Sequence, residues 1–144
     1  TETLQCGTME VNLGQLAVQK GADQAIRDFG QRMIEDHRKA NQELTEIINL
    51  KGASIPEPSN KKGERMAEHL LSLSGTAFDK AYIKHMVRDH KKAVKEFEME
   101  TESAGDAELK NWAAGTLPTL KTHLHMAENT EASIGSVKSL SMAR

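Results

Sequence analysis

A chain of 144 residues with a formal net charge of -2, 38% hydrophobic and only 3% aromatic residues is long enough for one domain with its own core. That charge gives no bulk attraction to nucleic acid or anionic lipid, no basic run stands out, and nucleic acid is not expected as a partner. The single cysteine, Cys6, excludes an intrachain disulfide, and no apolar run reaches the roughly eighteen residues that span a bilayer.

Charged residues make up 28% of the chain, a balance that suits extended helical surfaces better than a sheet-based core, so the expected class is all-α. The first predicted helix runs from Thr3 to Lys20, with Leu4, Val11, Leu13, Leu16 and Ala17 on one side. Asp23 is the expected N-cap of a long second helix, whose apolar stripe is Ile26, Phe29, Met33, His37, Ala40, Leu44 and Ile47 and which stops at Gly52. The segment Gly52 to Gly63 holds two prolines with Gly, Ser and Asn, and reads as a connection across the end of a bundle. A shorter helix follows from about Glu64 to Leu73. Ser74-Gly75-Thr76 breaks it; Thr76 is the expected cap of the next, with Phe78, Tyr82, Met86, His90, Ala93 and Phe97 on the buried stripe. Ala104-Gly105 closes that helix, and Asp106 caps a last one carrying Trp112, Leu117, Leu120, Leu124 and Ala127. Pro118 falls inside it. Proline in a helix interior costs about 3 kcal/mol, so the helix is expected either to kink there or to restart from Thr116. Residues 131–144 hold four serines and Gly135 with little periodicity and are expected to form a flexible tail on a bundle of residues 1–130.

Two of these helices contain the same motif. Phe29 to Leu44 reads FGQRMIEDHRKANQEL and Tyr82 to Phe97 reads YIKHMVRDHKKAVKEF, with identities at Met33/Met86, Asp36/Asp89, His37/His90, Lys39/Lys92, Ala40/Ala93 and Glu43/Glu96. A duplicated unit implies elements related by a pseudo-twofold axis, and here the whole helix pair is expected to be repeated. Adjacent helical residues differ by about 100°, so each Asp cannot orient its own His. His37 and His90 lie on the buried stripes. Asp36 and Asp89 turn toward solvent, where Arg32, Lys39, His85 and Lys92 stand at ion-pair spacing; the alternative for Asp36 is a bond to a histidine of another helix.

Several separated strings carry a resemblance. Glu10-Val11-Asn12-Leu13-Gly14-Gln15-Leu16-Ala17, the two Met-x-x-Asp-His segments, Ser74-Gly75 with Phe78-Asp79 and Tyr82, and Leu117-Pro118-Thr119-Leu120 with His123 and Ala127 together resemble the bacterial domain-of-unknown-function family 4142 over about residues 5 to 130. The resemblance implies a ferritin-like four-helix bundle with an extra short helix. It also implies export to the periplasm or envelope and a role tied to stress tolerance or the cell surface. A separate reading is a helix-mediated partner, an envelope protein or a second copy of the chain, held through the tail or the Gly52 to Gly63 loop. The chain opens at Thr1 without a charged-then-apolar leader, which fits a mature form.

His123 lies three residues after Leu120 and four before Ala127, on the inner edge of the last helix, and Glu10 stands beside the apolar residues of the first. Glu10, His37, His90 and His123 thus place one polar group on each of four helices. Such groups can converge on a single transition-metal ion, with zinc, iron or copper suited to three imidazoles and a carboxylate. Met33, Met86 and Met126 within a turn of the histidines add a copper reading. The other reading is structural: buried neutral histidines that fix helix register by hydrogen bonds. The di-iron pattern needs Glu-x-x-His, and Ile34, Val87 and Leu120 occupy the glutamate positions, so ferroxidase chemistry is not expected. His69, His85 and His125 fall off the stripes and are expected on the surface. Cys6 has no base placed beside it, Tyr82 and Trp112 are expected core anchors, and no catalytic motif is present, so the chain reads as a binding or structural protein more than an enzyme.

Overall fold

The computed structural model describes residues 2–55 and 60–142, with side chains as far as Gly135. It is all-α: α1 (Glu2–Lys20), α2 (Gln24–Leu50), α3 (Lys61–Leu71), α4 (Gly75–Ser103) and α5 (Ala107–Met142). The Asp23 carboxylate accepts from the Ala25 amide and starts α2, and Asp106 accepts from the Glu108 and Leu109 amides and starts α5, as their sequence positions imply. Two starts differ from expectation. The short helix opens earlier, because the Asn60 side chain accepts from the Gly63 amide at 3.0 Å and caps it at Lys61. α4 begins on Gly75, whose φ of 57° is a left-handed turn open to glycine, so Thr76 lies inside the helix and Ser74 is the N-cap residue.

The helices form two antiparallel hairpins, α1 with α2 and α4 with α5, joined by a long crossover that includes α3. At one end of the bundle Leu4 of α1 and Leu109 of α5 meet Leu44 of α2 and Phe97 of α4, so the starts of α1 and α5 lie beside the ends of α2 and α4. At the other end the Asp79 carboxylate near the start of α4 accepts from the Ala22 and Asp23 amides, at 2.9 and 2.8 Å, in the α1–α2 turn. Lys20 there donates to the Leu71 carbonyl. The duplicated helices α2 and α4 therefore run parallel, and α1 and α5 run the opposite way. The expected duplication of a whole helix pair is corrected: α3 lies against α1 and α4 as part of the crossover, and the antiparallel partner of α4 is α5.

Between the hairpins lies one core, in which Leu13, Phe29, Met33, Tyr82, Met86 and Ala127 are within 1% of full burial. The Phe29 and Tyr82 rings meet edge to face at a centroid distance of 6.0 Å. Within the first hairpin the backbones touch at two glycines: a Cβ on Gly14 would lie 2.8 Å from the Gly30 carbonyl oxygen, and one on Gly30 would lie 2.7 Å from the Ala17 Cβ. Gly30→Ala is expected to cost about 1–3 kcal/mol by forcing the helices apart. Gly115→Ala, where an added Cβ meets nothing, should gain up to about 1 kcal/mol from helix propensity. Denaturant melts of the two variants check both signs.

α5 neither restarts at Thr116 nor stops at Pro118; a single helix passes through both. The carbonyl that Pro118 leaves without a helical donor belongs to Ala114, and both residues are exposed, so water can serve it. The segment expected to form a flexible tail continues the same helix to Met142, and Ile134 is buried in the core.

Candidate metal centre

Four polar side chains expected to face inward do so. Glu10, His37, His90 and His123 are all buried, at 5, 8, 2 and 1% exposure. Each comes from a different helix of the bundle. The three imidazoles form a nearly equilateral triangle, with ring centroids 5.8 Å apart for His37–His90, 5.3 Å for His37–His123 and 5.4 Å for His90–His123. One ring nitrogen from each can be chosen so that all three lie within 4.8 Å of one another.

The hydrogen bonds around the triangle decide what its nitrogens offer. His90 Nδ1 lies 2.8 Å from the Met86 carbonyl, which can only accept, so Nδ1 carries the proton and Nε2 is a bare lone pair. His123 Nε2 lies 2.7 Å from Asp36 Oδ2, so its proton sits there and Nδ1 is the bare nitrogen. His90 Nε2, His123 Nδ1 and His37 Nε2 are buried, and none has a hydrogen-bond partner among the described residues. Two acceptors with no donor, next to a third orphaned nitrogen, are costly inside a core, at about 1–3 kcal/mol per unsatisfied group.

Protonation does not relieve this. Burial, reinforced by the neighbouring imidazoles, pushes His37 down to about 3 and His90 down to about 4, and burial also lowers His123. The three are neutral imidazoles at neutral pH, the form that binds metal. Burial works to raise the Asp36 carboxyl, but hydrogen bonds from His123 and Arg32 outweigh it and hold the group below the usual carboxylate range. Asp36 is thus only partly a surface residue: it pairs with Arg32 at 2.7 Å and also reaches across to α5. The bond from Asp36 to a histidine of another helix, the alternative reading of its position, is present.

Glu10 stands outside the 4.8 Å group but in the same layer. On α1 it lies between Gly7, which abuts Asn41, and Gly14, which abuts Gly30 and Met33, so it is level with the turn of α2 that carries His37. Burial and then the Asp89 charge push its carboxyl up to about 8. It is uncharged at neutral pH, and its Oε2 has no hydrogen-bond partner among the described residues. The nearby Tyr82 hydroxyl is equally unpartnered, and burial followed by the Glu10 charge raises it well above its ordinary value.

His85 is corrected. It is buried at 4% exposure, not on the surface, because its Nε2 lies 3.0 Å from Asp89 Oδ2 on the α3 side of α4, whereas His69 and His125 are exposed. Asp89 with His85 repeats the i,i+4 pairing of Asp36 with Arg32. Sequence reasoning assigned no role to Asp79; its partners stand 56 and 57 residues away, and no local pattern marks such a contact. Cys6 is a free cysteine whose thiol is pushed up by burial and by Glu10, the opposite of an activated nucleophile. A cavity of about 370 Å³ lies at the end of the bundle between Leu44, Phe97 and Trp112, and none of the three histidines lines it.

A family model described as a domain of unknown function, DUF4142, matches residues 1–130. The chain belongs to that family. The match spans α1 to α4 and all of α5 that carries the histidine layer. No curated protein and no solved structure matches the chain. Among the described residues, no helix is long and apolar enough to cross a membrane.

Proposed function

We propose that this DUF4142 domain binds one divalent transition-metal ion of the zinc class in its core, with His37, His90 and His123 as ligands and Glu10 as the fourth group. The observation that carries the reading is the set of orphaned ring nitrogens, two of them necessarily bare lone pairs, on three buried imidazoles that each place a ring nitrogen within 4.8 Å of the others. Three imidazoles with a carboxylate suit zinc, and equally iron or copper by ligand type. The Asp36 carboxylate on His123 and the Met86 carbonyl on His90 are the supports that fix metal-ligating imidazoles in other proteins. Glu10 would release its proton to solvent on binding the ion and supply the charge that three neutral histidines lack. Two parallel central helices joined by a single long crossover support a ferritin-like label for the bundle. The buried layer suits holding an ion more than turning over a substrate, and an exported setting is compatible with a centre that needs no reduced thiol.

Metal analysis tests this. Reconstituted protein is expected to hold close to one equivalent of Zn²⁺ and to melt higher with it, whereas His90→Ala holds less than a tenth of an equivalent and gains nothing. Asp36→Asn should keep the fold and weaken affinity about 10- to 100-fold. Wild-type protein that holds less than a tenth of an equivalent, with an unchanged melting temperature, ends the proposal.

A further inference from the structure

The two copies of the repeat agree inside the bundle and disagree outside it. Every exposed residue from Asp79 through Lys95 of α4 is basic: Lys80, Lys84, Arg88, Lys91, Lys92 and Lys95. At the repeat's constant offset the same positions of α2 are Arg27, Gln31, Glu35, Arg38, Lys39 and Gln42. The outer row of α4 therefore carries six positive charges, where its counterpart carries three positive and one negative, a net of two. The acids of this stretch offset the row only in part, Asp89 lying near the Arg88 charge. Asp79 is buried on the α1–α2 turn and Asp89 faces His85. Lys92 has Glu96 at 3.6 Å, and Arg88 reaches His85 Nδ1 at 3.4 Å. Lys84, Lys91 and Lys95 have no carboxylate within 4 Å among the described residues. Lys80, Lys84, Arg88, Lys91 and Lys95 follow one another at spacings of three or four residues and so fall on a single ridge about 22 Å long. A chain of net charge -2 thus carries a row of six of its nineteen cations with no exposed acid among them.

We propose that the outer face of α4 is an adsorption surface for an anionic lipid bilayer. The ridge is convex, five of its six cations are lysines rather than forked arginines, and it carries no aromatic side chain. A single-stranded nucleic acid calls for a groove and stacking platforms, and neither is present on this face. A plane of mobile anionic headgroups needs only a row of cations it can gather beneath. Alanines, Ala77 and Ala81, flank the start of the row, and Met99 beyond Lys95 is the one large apolar side chain exposed along it, so the contact is mainly electrostatic. Adsorption of this kind weakens as salt screens it. Overall charge conceals the surface because most acids sit elsewhere, Glu98, Glu100 and Glu102 forming the far end of the same helix. The inference is independent of the metal reading.

Sedimentation with vesicles tests it. The full chain is expected to pellet with vesicles of 40% phosphatidylglycerol in phosphatidylcholine at 50 mM salt, and to stay in solution with pure phosphatidylcholine or at 0.5 M salt. The double variant Lys84→Glu/Lys91→Glu should lose at least tenfold in partitioning, while Arg38→Glu/Lys39→Glu on α2, with the same change in net charge, stays within about threefold; circular dichroism confirms that both are folded. The proposal is overturned if the wild-type chain does not pellet with anionic vesicles, if the two double variants lose binding equally, or if only a soluble polyanion such as heparin is bound.

Discussion

Glu10→Gln is expected to make the metal-free protein more stable while removing much of its affinity for metal. A carboxyl with an ordinary value near 4.5 that is pushed up to about 8 in the fold must take up a proton on folding at pH 7. At about 1.4 kcal/mol per pH unit, that uptake costs about 3 kcal/mol at pH 7. The sign follows from the raised value: the contribution is harmless below the unfolded value and becomes an increasing penalty as pH rises toward 8. Glutamine keeps the shape without the ionisation, so the variant's melting temperature should rise, by roughly 2–4 °C for each kcal/mol recovered in a domain of this size. Calorimetry at pH 7.5 with a chelator present reads the gain, and zinc titration of the same sample reads the loss. An unchanged melting temperature would mean that Glu10 is not a buried, proton-bearing acid. A gain in stability coupled to a loss of binding is the pattern of a residue kept for function.

The histidine layer imposes the opposite dependence. His37 and His90 are pushed down to about 3 and about 4 from an ordinary value of 6.5, so below pH 6.5 the unfolded chain takes up protons that the folded layer refuses. Their contribution is complete above pH 6.5 and is lost as pH falls toward 4, with a full effect of roughly 3–5 kcal/mol for each histidine. That is large against the total stability of a domain of this size. Urea melts of metal-free Glu10→Gln at pH 7.5, 6 and 5 should show a steep fall in stability, whereas in the wild-type protein the falling Glu10 penalty offsets most of it. Stability that is flat from pH 7.5 to 5 in that background would mean that the three imidazoles are not buried together.

The sequence made the inward-facing groups legible because helical periodicity is a local property. Met33, His37, Ala40 and Leu44 share a stripe wherever the helix ends up, and the same arithmetic set His90, His123 and Glu10 on inner faces. Which partners those faces meet is a non-local property. His85 read as a surface residue because it lies off the main stripe, yet α3 and α1 give α4 a second buried side there, where Asp89 stands. Asp79 illustrates the same limit: its carboxylate holds a turn more than fifty residues away. The early start of α3 turned on one side chain, Asn60, reaching the Gly63 amide. Asp36 is both surface pair and cross-helix support, which a choice between the two readings would have missed.

The up-down-down-up order of the four long helices has a further consequence for how the molecule is held together. His37 belongs to the first hairpin, and His90 and His123 belong to the second. An ion shared by the three would act as a covalent-like crosslink between segments far apart in the chain, removing from the unfolded ensemble the freedom of loops spanning residues 37 to 90 and 90 to 123. Loop-closure entropy grows with the length enclosed, so such a link works as a disulfide does in a chain whose only cysteine has no partner. The two hairpins, otherwise joined through packing and one crossover, would then separate only after the ion had left.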